Sequence, residues 1–554
     1  SPFDLCDLPL RTPDGKFMPI GLVHSAQASW NEIVFAGMGA GKSFFLNTLN
    51  FFFILRAGQA RLPWLTVIDI GPSSSGVINL IRSALPREMQ HLAIFARLKN
   101  LADSAINPFD TLLGCPYPLR SHLEFLNNLL QLLCTPLDAR TPADGIAQLL
   151  RTAVDTLYRD LAPNGTRPKH FDPYADSQVT TYIQQAGCVW DAKSTWWEIV
   201  AFLFERKEYA LAIRAQRFAM PVIADLACLV TDQTVCENYT AVLAGTGGET
   251  VPNACARHLI SAIKEYPILS NYTRFSLGAA RIIGLDLSEV TPRGGAQAER
   301  QSGIMYMMAR YVGAAHFFNT PDEISEIPEQ YRSYHRPILE SLAQDPKRLC
   351  YDEFHRASCQ DMNNPLSRQI ISDLTTATRE ARKLNLSIGL YSQRLQDFPK
   401  ELVAMATSIY ALGAGNQAEA EEIAERFGFS HAAYDALRRI TRPNARGASC
   451  IALYRTEYGE CLQKVTNSAG SFARWAFSTT AEDMRLRNAL YARLGCRKAL
   501  TLLHRYYPGG SIKEEIETRK MQIGERQTDE GGEDIEETIL KEMLERARKD
   551  GEIL

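Results

Sequence analysis

One segment near the start of the chain constrains its fold more than any other feature. Residues 36–43 read Ala-Gly-Met-Gly-Ala-Gly-Lys-Ser, the phosphate-loop pattern G-x-x-x-x-G-K-[S/T] with Ala36 in place of the first glycine. The apolar residues 33–35 before it predict a buried strand, and residues 43–55 after it predict a helix. A glycine-rich loop that joins a strand to a helix predicts a phosphate-binding site in an α/β fold.

The residue types of this loop suit a nucleoside triphosphate. Glycines let the backbone curl so that its N–H groups face phosphate oxygens, and the following helix adds the positive end of its dipole. Lys42 would neutralise the β- and γ-phosphates, and the Ser43 hydroxyl would coordinate Mg²⁺. ATP and Mg²⁺ are therefore the predicted ligands, held by Gly37, Gly39, Ala40, Gly41, Lys42 and Ser43. The alternative, a glycine-rich turn with a chance lysine, is disfavoured by the flanking strand and helix patterns.

A second candidate segment is residues 348–353, Arg-Leu-Cys-Tyr-Asp-Glu. Hydrolysis at a phosphate loop needs an acid at the end of a neighbouring strand to hold Mg²⁺ and a group that activates water. Asp352 would bind the metal through water, and Glu353 would polarise the attacking water. Adjacent acids commonly lie on a solvated surface instead, but the apolar residues before this pair and the long helix predicted after it favour the site.

Residues 379–393 supply two further candidate catalytic residues. Gln393 follows a predicted strand and could sense the γ-phosphate by hydrogen bonding. Arg382 could reach across a subunit boundary and stabilise the charge of the transition state, an effect of about 10³ to 10⁵ in rate. The alternative is a basic helix end that compensates the helix dipole, and for Arg379 we favour that interpretation.

The order of apolar patterns predicts an interrupted α/β fold. Short runs typical of strands occur at 33–36, 65–70, 92–96, 281–287, 349–352, 386–392 and 408–412. Between the third and the fourth run the apolar spacing is helical, and strand-like runs are scarce. We therefore expect a mostly parallel sheet that is begun before an all-helical insertion and completed after it.

We predict four regions. They are the first part of the core with an N-terminal hairpin and the phosphate loop, the helical insertion, the second part of the core and an acidic tail, at 1–112, 113–272, 273–505 and 506–554. A Pro-Asp-Gly turn at 13–15 predicts the hairpin, which we expect to precede the sheet and not to join it. Residues 513–554 carry 14 acidic and 8 basic side chains and no aromatic residue, so we expect a solvated or partner-ordered helix there and not a core element.

Composition excludes several functional classes. Lys and Arg total 60 against 63 Asp and Glu, so there is no overall basic excess for binding nucleic acid. The 12 cysteines include no C-x-x-C pair, which argues against a zinc ribbon or a disulfide framework. The most apolar stretch, 51–55, is far too short to cross a bilayer. We expect a cytosolic fragment of a longer protein, because the chain begins Ser-Pro-Phe without a leader.

Two weaker features need a structural interpretation. Residues 413–418, Gly-Ala-Gly-Asn-Gln-Ala, formally match the dinucleotide fingerprint G-x-G-x-x-[G/A]. Since the phosphate loop already accounts for nucleotide binding, we interpret this segment as the turn after the last core strand. His355 is interpreted as a helix-start residue near the site and not as a base.

Six motifs, in order, give the chain a resemblance to a known family. They are AGMGAGKS at 36–43, VIDIG at 67–71, INPF at 106–109, IIGLDLS at 282–288, YDE at 351–353 and EARKLNLSIGLYSQ at 380–393. Together they resemble the conjugative-transfer and type IV secretion ATPases of the TraC kind, and within that family the type IVB members most. The resemblance covers about residues 15–500, and departs from the family pattern at Ala36 and at the serines 73–75.

The resemblance implies a RecA-like P-loop NTPase core with an inserted all-helical subdomain, acting as a Mg²⁺-dependent ATPase that energises export. It implies a homo-hexamer at the cytoplasmic base of a secretion channel, peripheral to the inner membrane. The implied partners are the inner-membrane channel complex, a cytoplasmic traffic ATPase of the same system and protein substrates. The family's functional residues fall on Lys42, Ser43, Asp352, Glu353, Arg382 and Gln393. We expect this chain to lack the N-terminal docking domain that is usual in the family.

Two other functions stay open on the sequence. The chain could be a nucleotide-gated scaffold whose ATP state controls the docking of a partner ATPase, which the acidic tail and the missing docking domain favour. It could also be a DNA-translocating motor of conjugation. The net charge of −3 and the lack of a basic, aromatic stripe count against nucleic acid as a partner.

Overall fold

The computed structural model describes residues 1–37, 39–56, 61–245, 247–358, 365–444, 446–524, 535–549 and 551. Its strands are β1 Leu8–Arg11, β2 Phe17–Ile20, β3 Trp30–Phe35, β4 Trp64–Asp69, β5 Ala93–Arg97, β6 Ile282–Asp286, β7 Lys347–Tyr351, β8 Leu386–Ser392, β9 Ser408–Ala411, β10 Ala448–Thr456 and β11 Gly459–Asn467. They form one sheet in the order β2-β1-β11-β10-β9-β3-β8-β7-β4-β6-β5.

The strands from β9 to β5 are parallel, and the four at the other edge are antiparallel. Every residue of β6, β7 and β8 is buried, as a parallel sheet covered on both faces requires. The chain leaves the sheet after β5 and returns as β6, which inserts between β4 and β5. The expected sheet, begun before a helical stretch and completed after it, is therefore confirmed.

Helices cover both faces of the sheet. They are α1 Lys42–Ile54, α2 Ser75–Ala84, α3 Arg120–Leu133, α4 Ile146–Leu161, α5 Ser177–Gln185, α6 Trp196–Glu205, α7 Tyr209–Ala219, α8 Ile223–Leu229, α9 Gln233–Cys236, α10 Val251–Glu265, α11 Gly295–Ala314, α12 Glu329–Gln344, α13 His355–Ser358, α14 Pro365–Glu380, α15 Lys400–Met405, α16 Gln417–Phe427, α17 His431–Arg438, α18 Ser471–Phe477, α19 Ala481–Leu494, α20 Cys496–Tyr506, α21 Lys513–Gly524 and α22 Ile535–Lys549. One core contains α1, α2 and the C-terminal helices, and a second contains α11 and the helices α3 to α10. The boundaries of the four predicted regions stay predictions.

Two expectations about the sheet were wrong. The strand at 408–412, β9, is not the last core strand, because the hairpin of β10 and β11 follows it and pairs antiparallel with it. The N-terminal hairpin forms as predicted, with the Thr12 N–H donating to the Lys16 carbonyl at 2.9 Å. It does not precede the sheet, however, but extends its edge, where Arg11 pairs with Thr466.

The expectation that the acidic tail forms a solvated or partner-ordered helix and not a core element was also wrong. On α22, Ile539, Leu540, Met543 and Ala547 are at most 6% exposed, and this helix packs against α19 and α20. These residues repeat at helical spacing and form one apolar stripe. The tail residues 525–534, which include the Gly-Gly pair, lie outside the described residues.

Within the described ranges, no single helix has both the length and the apolar composition needed to cross a bilayer. One bent pair, Tyr209–Leu229 with Gln233–Tyr239, meets the criteria of length and composition when its two parts are taken together.

Candidate functional site

The candidate residues converge because parallel strands end at the same edge of a sheet. The phosphate loop follows β3, Gln393 follows β8 and Asp352 follows β7, and these three strands are neighbours. Backbone hydrogen bonds continue beyond the strand ends. The Ala36 N–H donates to the Ser392 carbonyl at 3.2 Å, and the Asp352 N–H donates to the Ile68 carbonyl of β4 at 2.9 Å. The sheet thus brings distant motifs side by side.

The loop backbone is shaped to receive an anion. Gly39 and Gly41 have φ values of 76° and 90°, a left-handed region that glycine adopts without steric cost. The Ala40 N–H donates to the Gly37 carbonyl at 3.1 Å and closes a turn. Helix α1 follows at once, and its first turn has neither an acidic residue nor a side-chain cap. Its first N–H groups have no partners within the helix, so they can bind phosphate oxygens. Met38 lies outside the described residues.

Two positions of the loop require a small residue. Ala36, the departure from the phosphate-loop pattern, is 1% exposed and packs in the core that contains α1. A Cβ added to Gly41 would lie 3.1 Å from Cγ of Pro443, closer than side chains normally approach. The alanine therefore preserves what position 36 needs, which is small size.

Lys42 is held by both candidate acids. Its ammonium group lies 2.5 Å from Asp352 Oδ1 and 2.5 Å from Glu353 Oε1. Burial by itself lowers the pKa of Lys42, but the two carboxylates outweigh burial and the pKa is raised. Lys42 is therefore charged at neutral pH, and a phosphate group must compete with two carboxylates for it.

Ser43 and Asp352 offer the oxygen ligands that Mg²⁺ prefers. The Ser43 hydroxyl donates to Asp352 Oδ2 at 3.3 Å, and Asp352 Oδ1 accepts from the backbone N–H of Glu353 at 2.9 Å. In the described part of the chain, no group of three or more His, Cys, Asp or Glu side chains could hold a metal ion. Mg²⁺ commonly uses one or two protein oxygens together with substrate phosphates, so these residues fit a magnesium–nucleotide site.

Glu353 combines a strained backbone with different contacts on its two carboxylate oxygens. Its φ of 51° is left-handed, which costs a non-glycine residue about 1–3 kcal/mol. Oε1 faces Lys42, whereas Oε2 accepts a hydrogen bond from Gln393 Nε2 at 3.2 Å. Burial by itself raises the pKa of Glu353, but Lys42 outweighs it and the pKa lies below its ordinary value. Glu353 is therefore an ionised carboxylate.

The structure separates Arg382 from the other candidates. Arg382 is exposed in the turn between α14 and β8, at the N-terminal end of β8. Gln393 follows the other end of this seven-residue strand, and at about 3.3 Å per residue the two ends are ~20 Å apart. Arg382 therefore does not belong to the phosphate site of its own chain, and its action across a subunit boundary stays a prediction.

Two further acids, which were not predicted as site residues, lie at this edge of the sheet. Asp69 ends β4 and Asp286 ends β6. Burial raises the pKa of Asp69 well above its ordinary value, the nearby Asp352 carboxylate adds to the rise, and the Ser73 hydroxyl hydrogen-bonds to Asp69. Asp286 instead pairs with Arg97 at 2.8 Å. Both acids end predicted strands, so the rule that selected Asp352 could have found them.

Comparisons with known proteins establish the fold. A scan against protein-family models found no match, and a search of the curated proteins found no match. Among solved structures, VirB4 of Thermoanaerobacter pseudethanolicus is similar, with 15% sequence identity, a TM-score of 0.52, and coverage of 84% of this chain and 97% of VirB4. At this identity the similarity shows the fold alone. The predicted fold class, a mostly parallel P-loop sheet with many helices, is thereby confirmed.

Two weaker structural matches were found. The plasmid coupling protein TrwB in complex with ADP and Mg²⁺ has 10% identity, a TM-score of 0.33, and coverage of 78% of this chain and 77% of TrwB. The genome packaging NTPase B204 from Sulfolobus turreted icosahedral virus 2, in complex with AMPPCP, has 11% identity, a TM-score of 0.19, and coverage of 34% of this chain and 68% of B204. These TM-scores are too low to support a conclusion about this chain.

Proposed function

We propose that this chain is an ATP-hydrolysing motor domain of the type IV secretion and conjugation ATPases. The proposal depends on one observation, the meeting of Lys42, Ser43, Asp352, Glu353 and Gln393 at one edge of a parallel sheet. These side chains supply a cation for phosphates, oxygen ligands for Mg²⁺ and a carboxylate for water activation. The similarity of the fold to that of VirB4 supports the same conclusion.

Each side chain has a distinct task in this proposal. Lys42 neutralises the phosphates, while Ser43 and Asp352 hold Mg²⁺, which stabilises negative charge during the reaction. Glu353 accepts a proton from the attacking water. When Lys42 turns from Glu353 to the phosphates, the charge that lowers the pKa of Glu353 moves away. Glu353 then becomes a stronger base, so nucleotide binding itself would prepare the site for hydrolysis.

The finer assignment follows the sequence resemblance. We propose the type IVB branch, with DotO or IcmB as the most similar member and this chain as its C-terminal motor domain. The active form would be a homo-hexamer, peripheral at the inner membrane, in which Arg382 of one subunit acts at the nucleotide of the next. Its partners would be the inner-membrane channel complex, the cytoplasmic traffic ATPase and protein substrates. The exposed position of Arg382 supports a contact between subunits.

Two substitutions test the ATPase assignment. Lys42→Ala should abolish nucleotide binding or turnover, whereas Glu353→Gln should keep binding and lose hydrolysis. Lys16→Ala is the matched control, because Lys16 is 83% exposed on the N-terminal hairpin and should retain both activities. Fluorescent-nucleotide binding and phosphate release measure the two activities separately. Normal turnover by Glu353→Gln would refute the role of Glu353, and unchanged binding by Lys42→Ala would refute the phosphate loop.

Three further measurements separate the finer proposals. Specific activity should rise with protein concentration if subunits complete each other's sites. A specific activity that does not depend on protein concentration would contradict the proposed ring. Hydrolysis measured with and without the traffic ATPase distinguishes a motor from a gated scaffold, which would hydrolyse slowly in both cases. A salt-dependent DNA titration tests the conjugation motor, and we expect weak binding because the net charge is −3.

A further inference from the structure

The position of the candidate catalytic residues gives a bound triphosphate a direction. Lys42 lies between Asp352 and Glu353, which follow β7. Gln393 follows β8. The phosphate loop follows β3, and the strands run in the order β9-β3-β8-β7, so all three residues lie on one side of the loop. The terminal phosphate belongs on that side, and the nucleoside at the other end of the ligand is directed toward β9 and β10.

Two segments of the chain lie on the β9 side. One is the turn after β9, where the Leu412 N–H donates to the Phe35 carbonyl at 3.0 Å, next to the start of the phosphate loop. The other is the 439–444 segment, which follows α17 and leads to β10. Because β10 runs antiparallel to β9, it begins at the edge where β9 ends. The 439–444 segment therefore lies at the same edge of the sheet as the phosphate loop.

The 439–444 segment approaches the phosphate loop closely at one point. A Cβ added to Gly41 would lie 3.1 Å from Cγ of Pro443, whereas a Cβ added to Gly37 or to Gly39 would meet nothing within 4 Å. The loop is thus open above its first glycines and bounded by Pro443 beside its last one. A nucleotide that leaves the loop toward β9 and β10 passes along Pro443.

Arg442 is the charged side chain next to this contact. It directly precedes Pro443, so the two Cα atoms are about 3.8 Å apart. Arg442 is exposed, and within the described ranges its guanidinium has neither an ion pair nor a hydrogen bond. Lys42 must leave two carboxylates to meet a ligand, but Arg442 has no such partner to leave. Its planar guanidinium is suited to stacking on an aromatic ring.

We propose that the 439–444 segment receives the nucleoside of the bound nucleotide, with the guanidinium of Arg442 stacked on the base and Pro443 packed beside it. This inference rests on the ATPase function proposed above and deepens it, because it assigns the part of the ligand that the phosphate loop does not hold. A guanidinium that stacks on a ring at an exposed site changes affinity by about 2- to 5-fold.

Inorganic tripolyphosphate separates the two halves of the site, because it has the phosphates and no nucleoside. Isothermal titration of the full chain in excess Mg²⁺ measures Kd for this probe and for a non-hydrolysable ATP analogue. Arg442→Ala should weaken binding of the analogue about 2- to 5-fold and leave that of tripolyphosphate unchanged. Lys42→Ala should weaken both.

The chain offers a matched control for Arg442. Arg87 is also exposed and also adjoins a proline, Pro86, but it precedes β5 and lies at the amino end of that strand. Arg87→Ala should leave the affinity for both probes unchanged. A similar loss in Arg87→Ala and Arg442→Ala would overturn the proposal, because it would show a general effect of positive charge.

Arg442→Lys distinguishes stacking from charge. Lysine keeps the positive charge but has no planar group, so this variant should bind the analogue nearly as weakly as Arg442→Ala. Full affinity in Arg442→Lys would overturn the stacking of Arg442 on the base. An equal loss of affinity for the analogue and for tripolyphosphate in Arg442→Ala would also overturn it, because it would make Arg442 a ligand of the phosphates.

Failure of this proposal is distinguishable from failure of the ATPase function. If the unmodified chain binds both probes and Lys42→Ala weakens both, an unchanged affinity of Arg442→Ala for the analogue overturns the nucleoside contact alone. If the unmodified chain binds neither probe, the phosphate loop itself is refuted as a nucleotide site, and the nucleoside contact with it.

Discussion

Replacing Glu353 with glutamine should tighten nucleotide binding as well as stop hydrolysis. Lys42 must leave both Asp352 and Glu353, each 2.5 Å away, before it can neutralise a phosphate. A hydrogen bond to a charged group contributes about 1.5–3 kcal/mol. Since the Glu353 side chain is 24% exposed and partly screened by solvent, the lower end of this range applies. Each 1.4 kcal/mol corresponds to a tenfold change, so Kd should fall about 10-fold.

Isothermal titration with ADP and with a non-hydrolysable ATP analogue, both in the presence of Mg²⁺, measures this change without interference from turnover. Glu88→Gln is the matched control, because Glu88 is exposed near the start of β5, at the edge opposite the phosphate loop, and its loss should leave Kd unchanged. An unchanged or weaker affinity in Glu353→Gln would refute the reasoning. It would mean that Glu353 does not compete with phosphates for Lys42 in solution.

Three further predictions concern stability. Glu32→Gln should lower the free energy of unfolding, measured by denaturant titration, by about 3–5 kcal/mol, because the buried guanidinium of Arg348 loses its carboxylate partner. A decrease below about 1 kcal/mol would contradict this prediction. Burial raises the pKa of Asp110 to about 6, so its stabilising contribution is complete below pH 3.8 and is lost as pH rises through about 6. The melting temperature of Asp110→Asn should therefore increase relative to that of the unmodified chain as pH rises through this window. A difference between the two melting temperatures that does not depend on pH would argue against the raised pKa. Ile539→Ala on α22 should lower the free energy of unfolding by about 2–5 kcal/mol. An unchanged free energy of unfolding would indicate that α22 is solvated and not packed.

The parallel strands could be predicted because their signal is local. Strands buried on both faces contain short apolar runs, and such runs occur at 282–285 in β6, 349–351 in β7 and 388–391 in β8. The antiparallel edge could not be predicted in this way. Its order depends on pairs such as Arg11 with Thr466, which are distant in sequence, and no local pattern shows which edge a hairpin joins. The apolar stripe of α22 could have been predicted from the helical spacing of its residues, but the prediction for this region was made from the acidic composition of the whole tail.

The candidate site, like the sheet, could be predicted only in part. Motif spacing selected Lys42 and Asp352, because the chemistry of phosphate and Mg²⁺ fixes those residue types at those strand ends. The sequence could not show that Lys42 pairs with both acids or that Glu353 has a left-handed backbone. These features result from the close approach of β3, β7 and β8, which only the folded sheet produces.

The candidate site carries more negative than positive charge in a single chain. Lys42 carries one positive charge against the two negative charges of Asp352 and Glu353, and burial together with the nearby Asp352 carboxylate raises the pKa of Asp69. A nucleoside triphosphate adds several negative charges, which Mg²⁺ and Lys42 balance only in part. In the ring proposed above, Arg382 of a neighbouring subunit would add positive charge, and this side chain is exposed at the amino-terminal end of β8.

If subunits form the proposed ring, Arg382→Ala should slow hydrolysis by about 10³-fold or more and leave nucleotide binding intact. Arg379→Ala is the matched control: Arg379 is also exposed, one helical turn earlier at the end of α14, where its charge compensates the helix dipole. Equal loss in both variants would mean that the basic helix end matters as a whole. Full activity in Arg382→Ala would mean that the missing cation comes from another residue.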